Sequence, residues 1–229
     1  MDIVILTNFR CGSHLLMQLI AENGFTANDE IIARTTRDIR NKHIDNPKFF
    51  RIPVQERRQL IKDSIDANLV PNIKAKLGNS VSIIHNLQSR RIETSLEELF
   101  PDAKFVHLTR NPFDAAISLY FARHTHEFFS FIENPVKRKK PVPYDFDAIM
   151  EKYKLYTEEW LWKELPQISA TVDYDELVAN PKDVMQNLGK QLCGKPFKVF
   201  MQSKYEKQDD PKKAEFKQRF IDDMVIKND

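Results

Sequence analysis

Four short apolar runs, Ile3–Leu6, Val81–Ile84, Phe105–Leu108 and Ala170–Tyr174, limit what this chain can fold into. Ile and Val are frequent in them, as in strands covered on both faces. Between them the apolar residues take a helical period. Leu15, Leu16, Leu19 and Ile20 share one face, and Leu60, Ile61, Ser64, Ile65 and Leu69 share another. Helix-start signals punctuate the chain: Thr94 with Glu97 reads as a capping box, and Asn111-Pro112, Asn180-Pro181 and Asp210-Pro211 read as caps followed by proline. Strand alternating with helix predicts the α/β class, a central and mostly parallel sheet flanked by helices. At 229 residues the expectation is one domain over 1–229, with a surface lid or insertion around 128–147, where aromatic residues give way to "NPVKRKKPVP".

Composition excludes several classes. Hydrophobic residues at 41% supply a core, and a net charge of +2 is too even for a general nucleic-acid binder. Cys11 and Cys193 are too few for a disulfide scaffold and lack zinc spacing. No apolar run approaches the ~20 residues of a membrane span, and Ile3–Leu6 leaves no room for a signal peptide. The expected location is cytoplasmic. Lys137 to Lys140, between Pro135 and Pro141, reads first as a solvated loop tip, with a nucleic-acid or nuclear-import patch and a lid that steers an anion as the alternatives.

The chemistry-bearing stretch is "VILTNFRCGSHLLMQLIAENG", a strand that enters a helix through Arg10, Cys11, Gly12, Ser13 and His14. Unpaired N–H groups at such a junction bind anions. The loop has one glycine and no Lys-Ser/Thr pair, so the hydroxyl that holds magnesium in an ATPase P-loop is missing. On residues alone this is either an anion cradle for a metal-free transfer or an ordinary tight turn. In "FVHLTRNPFDAAISLYFARH" Arg110 precedes a capped helix and Ser118 lies eight residues on; both reach one group only if a ligand lies across the helix start. Tyr174, in "VDYDELVANP", closes a strand and either stacks on a flat ring or joins the core. Lys207, Lys212 and Lys213 crowd a helix start whose Phe216 and Phe220 share a face.

Taken in order, these stretches resemble the sulfotransferase superfamily, and most closely its bacterial trehalose 2-sulfotransferase-like branch. "RCGSHLL" is similar to the family's sulfate-donor loop, and "LTRNPFDAAISLYF" to its 3′-phosphate motif. "YDELVANP" and "EKQDDPKKAEFKQRF" resemble its later motifs, with Phe216 in a tryptophan's place. The resemblance implies a P-loop nucleotide-kinase-like sulfotransferase fold. It also implies transfer of a sulfuryl group from 3′-phosphoadenosine 5′-phosphosulfate (PAPS) to a hydroxyl, releasing 3′-phosphoadenosine 5′-phosphate (PAP) without a metal. Arg10 with the N–H groups of Cys11, Gly12, Ser13 and His14 would hold the phosphosulfate. Arg110 and Ser118 would grip the 3′-phosphate, Tyr174 would lie near the adenine, and Lys207, Lys212 or Lys213 would complete the site. The base is Glu30, ranked first, or His85, which follows the strand "VSII". Two departures stand out. His14 replaces a hydroxyl residue and Asp29 a proline. Cys11 is either a thiol activated beside Arg10 or a small filler. The expected partner is a hydroxylated small-molecule or glycan acceptor, with a homodimer open and neither nucleic acid nor a membrane span involved. The rival readings are a P-loop small-molecule kinase and a non-catalytic phosphonucleotide-binding relative.

Overall fold

The N-terminal apolar run is the middle strand of a five-stranded sheet. The computed structural model describes residues 1–46, 48–86, 94–125, 141–159, 165–200 and 211–228. The strands are β1 (Asp2–Thr7), β2 (Thr26–Asn28), β3 (Ser80–His85), β4 (Ala103–Thr109) and β5 (Ile168–Asp173), ordered β2-β3-β1-β4-β5. Every pairing is parallel. The helices are α1 (Ser13–Ala21), α2 (Ile31–Ile44), α3 (Val54–Lys74), α4 (Leu96–Leu99), α5 (Pro112–Thr125), α6 (Phe146–Lys154), α7 (Tyr174–Ala179), α8 (Pro181–Cys193) and α9 (Pro211–Asn228). This is the α/β architecture that the alternation of runs predicts.

Both sheet faces are covered, so the central strand β1 is apolar on both faces over Ile3–Leu6. Ile3 and Ile5 face one layer with Val81, Ile83, Val106, Leu108 and residues of α1 and α8. Val4 and Leu6 face the other with Ile84, Phe105 and residues of α2, α3 and α4. Each buried aliphatic side chain contributes about 1.5–3 kcal/mol, and Ile3 to Leu6 are all fully buried. A third cluster joins Ile117, Tyr120 and Phe121 of α5, Ile149 of α6, and Phe216 and Phe220 of α9. It anchors the C-terminal helix on α5, with Lys217 2.7 Å from Asp114 at the α5 start.

Topology places the site. The chain leaves β1 toward β2 on one side, and leaves β4 toward β5 on the other. The connections after these adjacent strands diverge, which opens a crevice at their carboxyl ends, the expected ligand position in an open parallel sheet. Register aligns Thr7 with His85 and Leu108, and Thr109 with Asp173. The hydroxyl of Thr7 donates toward the Leu108 carbonyl at 3.2 Å, closing the ladder at the crevice.

Local readings differ from expectation in four places. The stretch at Thr26–Asn28 forms an edge strand; its residues are mostly exposed, so no apolar run marks it. Tyr174 opens α7 instead of closing the strand, because Asp173 caps the helix by accepting from Asp175 N at 2.9 Å and Glu176 N at 3.1 Å. The cap of α4 is Ser95, accepting from Glu98 N, while Glu97 accepts from Gln167 N. Leu60 is exposed, and α3 is buried at Leu69 and Ile73, toward its C-terminal end. Most of the region 128–147, including Lys137–Lys140, and Lys207 lie outside the described residues. Of the described part, Val142 is buried and the Tyr120 hydroxyl donates to the Pro143 carbonyl at 2.7 Å. Among the described residues no helix is long and apolar enough to cross a membrane.

Candidate functional site

The corner after β1 is built around two left-handed residues, Arg10 at φ 64° and Gly12 at φ 82°. Gly12 occupies the cap position of α1 and offers no side chain to its first N–H groups. Glycine is required there for a second reason. A Cβ on Gly12 would lie 2.2 Å from Tyr174 Cδ2 and 2.3 Å from Cε2. The buried Tyr174 ring is wedged against the loop backbone, and the Arg110 guanidinium lies over it, 4.4 Å from the ring centroid. Tyr174 therefore joins the corner itself.

Arg110, just past β4, reaches the first corner directly: its Nη1 donates to the Arg10 carbonyl at 2.6 Å. Arg10 Nε in turn donates to Ser118 Oγ at 3.3 Å, from loop to α5. Ser118 thus meets Arg10, two turns into a helix that starts at Pro112 with Asn111 Oδ1 accepting from Phe113 N. Two guanidinium groups share this crevice. Burial, and then the charge of Arg110, push the Arg10 pKa below its ordinary value. Arg110 Nε is buried and donates to no partner among the described residues. A partly dehydrated pair of like charges with an unused donor fits an anion carrying more than one negative charge.

The opposite rim carries the base candidates. His85 ends β3, buried, with its ring 4.4 Å from that of Phe9. Burial, and then His14, push its pKa down to about 4, so it is neutral near pH 7. Its Nδ1 lies 3.7 Å from Glu30 Oε1. Glu30 precedes α2 with φ 38°, a strained value for a residue with a side chain. Beside it, Asp29 Oδ1 lies 2.7 Å from His14 Nε2, and this contact holds the Asp29 carboxyl below its ordinary pKa. Ligating atoms of His14, Asp29 and Glu30 all fall within 4.8 Å of one another.

The remaining expectations divide. Cys11 is buried, and burial pushes its thiol up to about 11, which favours the filler reading over the activated thiol. Ser13 is buried at the α1 start. Lys212 and Lys213 begin α9, with Lys213 Nζ 5.8 Å from the Phe121 ring centroid. Tyr156 was not singled out by sequence: its hydroxyl donates to the Phe9 carbonyl at 2.7 Å from a π-helical turn, Leu155–Glu159. "KLYTEEW" carries no signal for this, since the turn is set by packing.

Over residues 2–197 the chain matches the family model described as "Sulfotransferase family". No curated protein matches it. It is similar to the sulfotransferase domain of the Synechococcus PCC 7002 olefin synthase, at 16% identity over 94% of this chain and 82% of that one, TM-score 0.46. It is similar to retinol dehydratase in complex with androsterone and the inactive cofactor PAP, at 12% identity over 97% and 80%, TM-score 0.44. A sugar kinase from Janibacter sp. HTCC2649 is similar at 13% identity over 83% and 93%, TM-score 0.40.

Proposed function

The chain belongs to the sulfotransferase family, and on that premise we propose that it moves a sulfuryl group from PAPS to a hydroxyl of a carbohydrate or another small hydroxylated metabolite. The observation that carries this reading is the meeting of Arg10 and Arg110 in one crevice, with Arg110 Nε buried and undonated among the described residues. A donor that bears a phosphosulfate and a separate 3′-phosphate suits two guanidinium groups better than a single phosphate would. Arg10 and the N–H groups of Cys11 to His14 take the phosphosulfate; Arg110, Ser118 and a lysine of the α9 start take the 3′-phosphate side. Tyr174 supports the corner beside the adenine.

In the transfer, the acceptor oxygen bonds to sulfur while the bond from sulfur to the bridging oxygen breaks. The electron pair leaves on that oxygen with PAP, and Arg10 offsets the growing charge. The acceptor proton goes to Glu30. His85 is the second candidate, its imidazole neutral near pH 7 and so able to accept a proton. In the same reading residues 1–229 form one cytoplasmic domain of the trehalose 2-sulfotransferase-like branch, working without a metal. Turnover unchanged by a chelator tests the last point; light scattering tests for a homodimer.

Calorimetry with PAP and turnover of labelled PAPS against mixed hydroxylated acceptors test the assignment. Glu30→Gln lowers turnover and leaves PAP affinity unchanged. A chain that binds PAP but transfers nothing to any acceptor is a phosphonucleotide-binding relative instead. A chain that needs magnesium and a nucleoside triphosphate is a kinase.

A further inference from the structure

Two of the departures from the family pattern, His14 and Asp29, meet. His14 stands on the first turn of α1, beside the donor corner, and Asp29 stands in the turn between β2 and α2, next to the proposed base. The imidazole Nε2 and the carboxylate Oδ1 are 2.7 Å apart and both are largely shielded. β2 is a three-residue strand, pairing only with β3 at the sheet edge. Glu30 follows directly, in a strained backbone conformation. Such a turn needs support from outside its own strand to hold a side chain in one place.

We propose that His14 and Asp29 form a positioning pair that fixes Glu30 relative to the donor corner. The inference rests on the reading of that corner as the donor site and of Glu30 as the base. The pair is a short bridge from the first turn of α1 to the turn that carries Glu30. Its anchor on the donor side is the first turn of α1, whose Leu16, Leu19 and Ile20 are buried in the core, so that anchor is rigid. His85 touches Glu30 from β3, and the positive charge of Arg34 acts on the Asp29 carboxylate. Glu30 is thereby held between β3 and α1. An offset of about 1 Å in a catalytic group can cost about a hundredfold in rate, so a bridge of this kind acts on kcat.

The test combines His14→Leu, Asp29→Ala, their double variant and His14→Gln, which keeps an N–H donor at about the reach of imidazole Nε2. Each disruptive single variant is expected to lower kcat by about tenfold or more, while acceptor KM and the calorimetric Kd for PAP stay within about twofold. The double variant is expected to be no worse than the worse single, because both remove one bridge. His14→Gln is expected to recover most of the loss, and amide exchange in residues 28–31 is expected to quicken in His14→Leu. A PAP affinity that falls in step with kcat would make His14 a donor ligand and overturn the pairing, as would multiplicative losses in the double variant. Wild-type protein that binds no PAP would overturn the donor reading together with this inference. Intact PAP binding with unchanged kcat in His14→Leu would overturn the pairing alone.

Discussion

Replacing Gly12 by alanine probes the corner on which the donor site depends. The added Cβ would lie 2.2 Å from Tyr174 Cδ2, inside any real contact distance. The ring has little room to retreat, because it is buried and the Arg110 guanidinium lies 4.4 Å from its centroid. Overpacking of this kind costs roughly 1–3 kcal/mol. The φ of 82° adds the left-handed penalty of a side-chain-bearing residue, about 1–2 kcal/mol. The sum is about 2–5 kcal/mol, which in a chain of this size lowers Tm by about 4–20 °C. Calorimetric melting of Gly12→Ala, Tyr174→Ala and the double variant separates the two parts. Removing the ring should relieve the overlap but not the backbone term, so the cycle should show about 1–3 kcal/mol of favourable coupling. A Gly12→Ala protein that melts within a degree or two of wild type, or a cycle that adds, would refute the wedge between Tyr174 and the loop.

Further expectations follow from the same geometry. Arg110→Ala should weaken PAP binding by about 1.5–3 kcal/mol, the range for a hydrogen bond to a charged group; calorimetry should show a smaller loss for adenosine 5′-phosphosulfate, and equal losses would reassign Arg110 to holding the Arg10 loop. Because burial raises the Cys11 thiol to about 11, a thiol reagent at pH 8 should label Cys193 first and Cys11 only after unfolding; equal rates in the native state would contradict the buried corner. His85 binds its proton less well folded, at about 4, than its model-compound value of 6.5. Its contribution to stability is therefore complete above about pH 6.5 and is lost as pH falls toward 4. The loss is of the order of 3 kcal/mol over the whole window, and urea midpoints of wild type and His85→Asn should converge on acidification.

Much of this molecule is legible without coordinates, and the reason is physical. A strand buried on both faces is apolar for most of its length, so β1 and β3 announce themselves as Ile- and Val-rich stretches, while β4 and the edge strand β5 carry shorter apolar cores between polar residues. Caps are equally local. Asn111 before Pro112 marks the start of α5 because the cap needs only neighbouring N–H groups. Where a signal could be met by adjacent residues the register slipped: Thr94 and Ser95 are both cap formers, and packing selects Ser95. β2 is three mostly exposed residues, whose strand character comes wholly from the pairing of Thr26–Asn28 with Ser80–Ser82.

The corner sequences named the candidate groups, because anion binding demands Arg, Gly and free N–H groups at a strand end. They did not say which side chains would meet. Arg10 with Ser118, Arg110 with the Arg10 carbonyl, Tyr156 with the Phe9 carbonyl and His14 with Asp29 join residues from different elements. Local sequence thus determined the strands, the helix starts and the chemical character of the loops, since each depends on near neighbours and burial. Strand order and register alone decided which loops face one another, because a contact across the crevice is set by how the whole sheet closes.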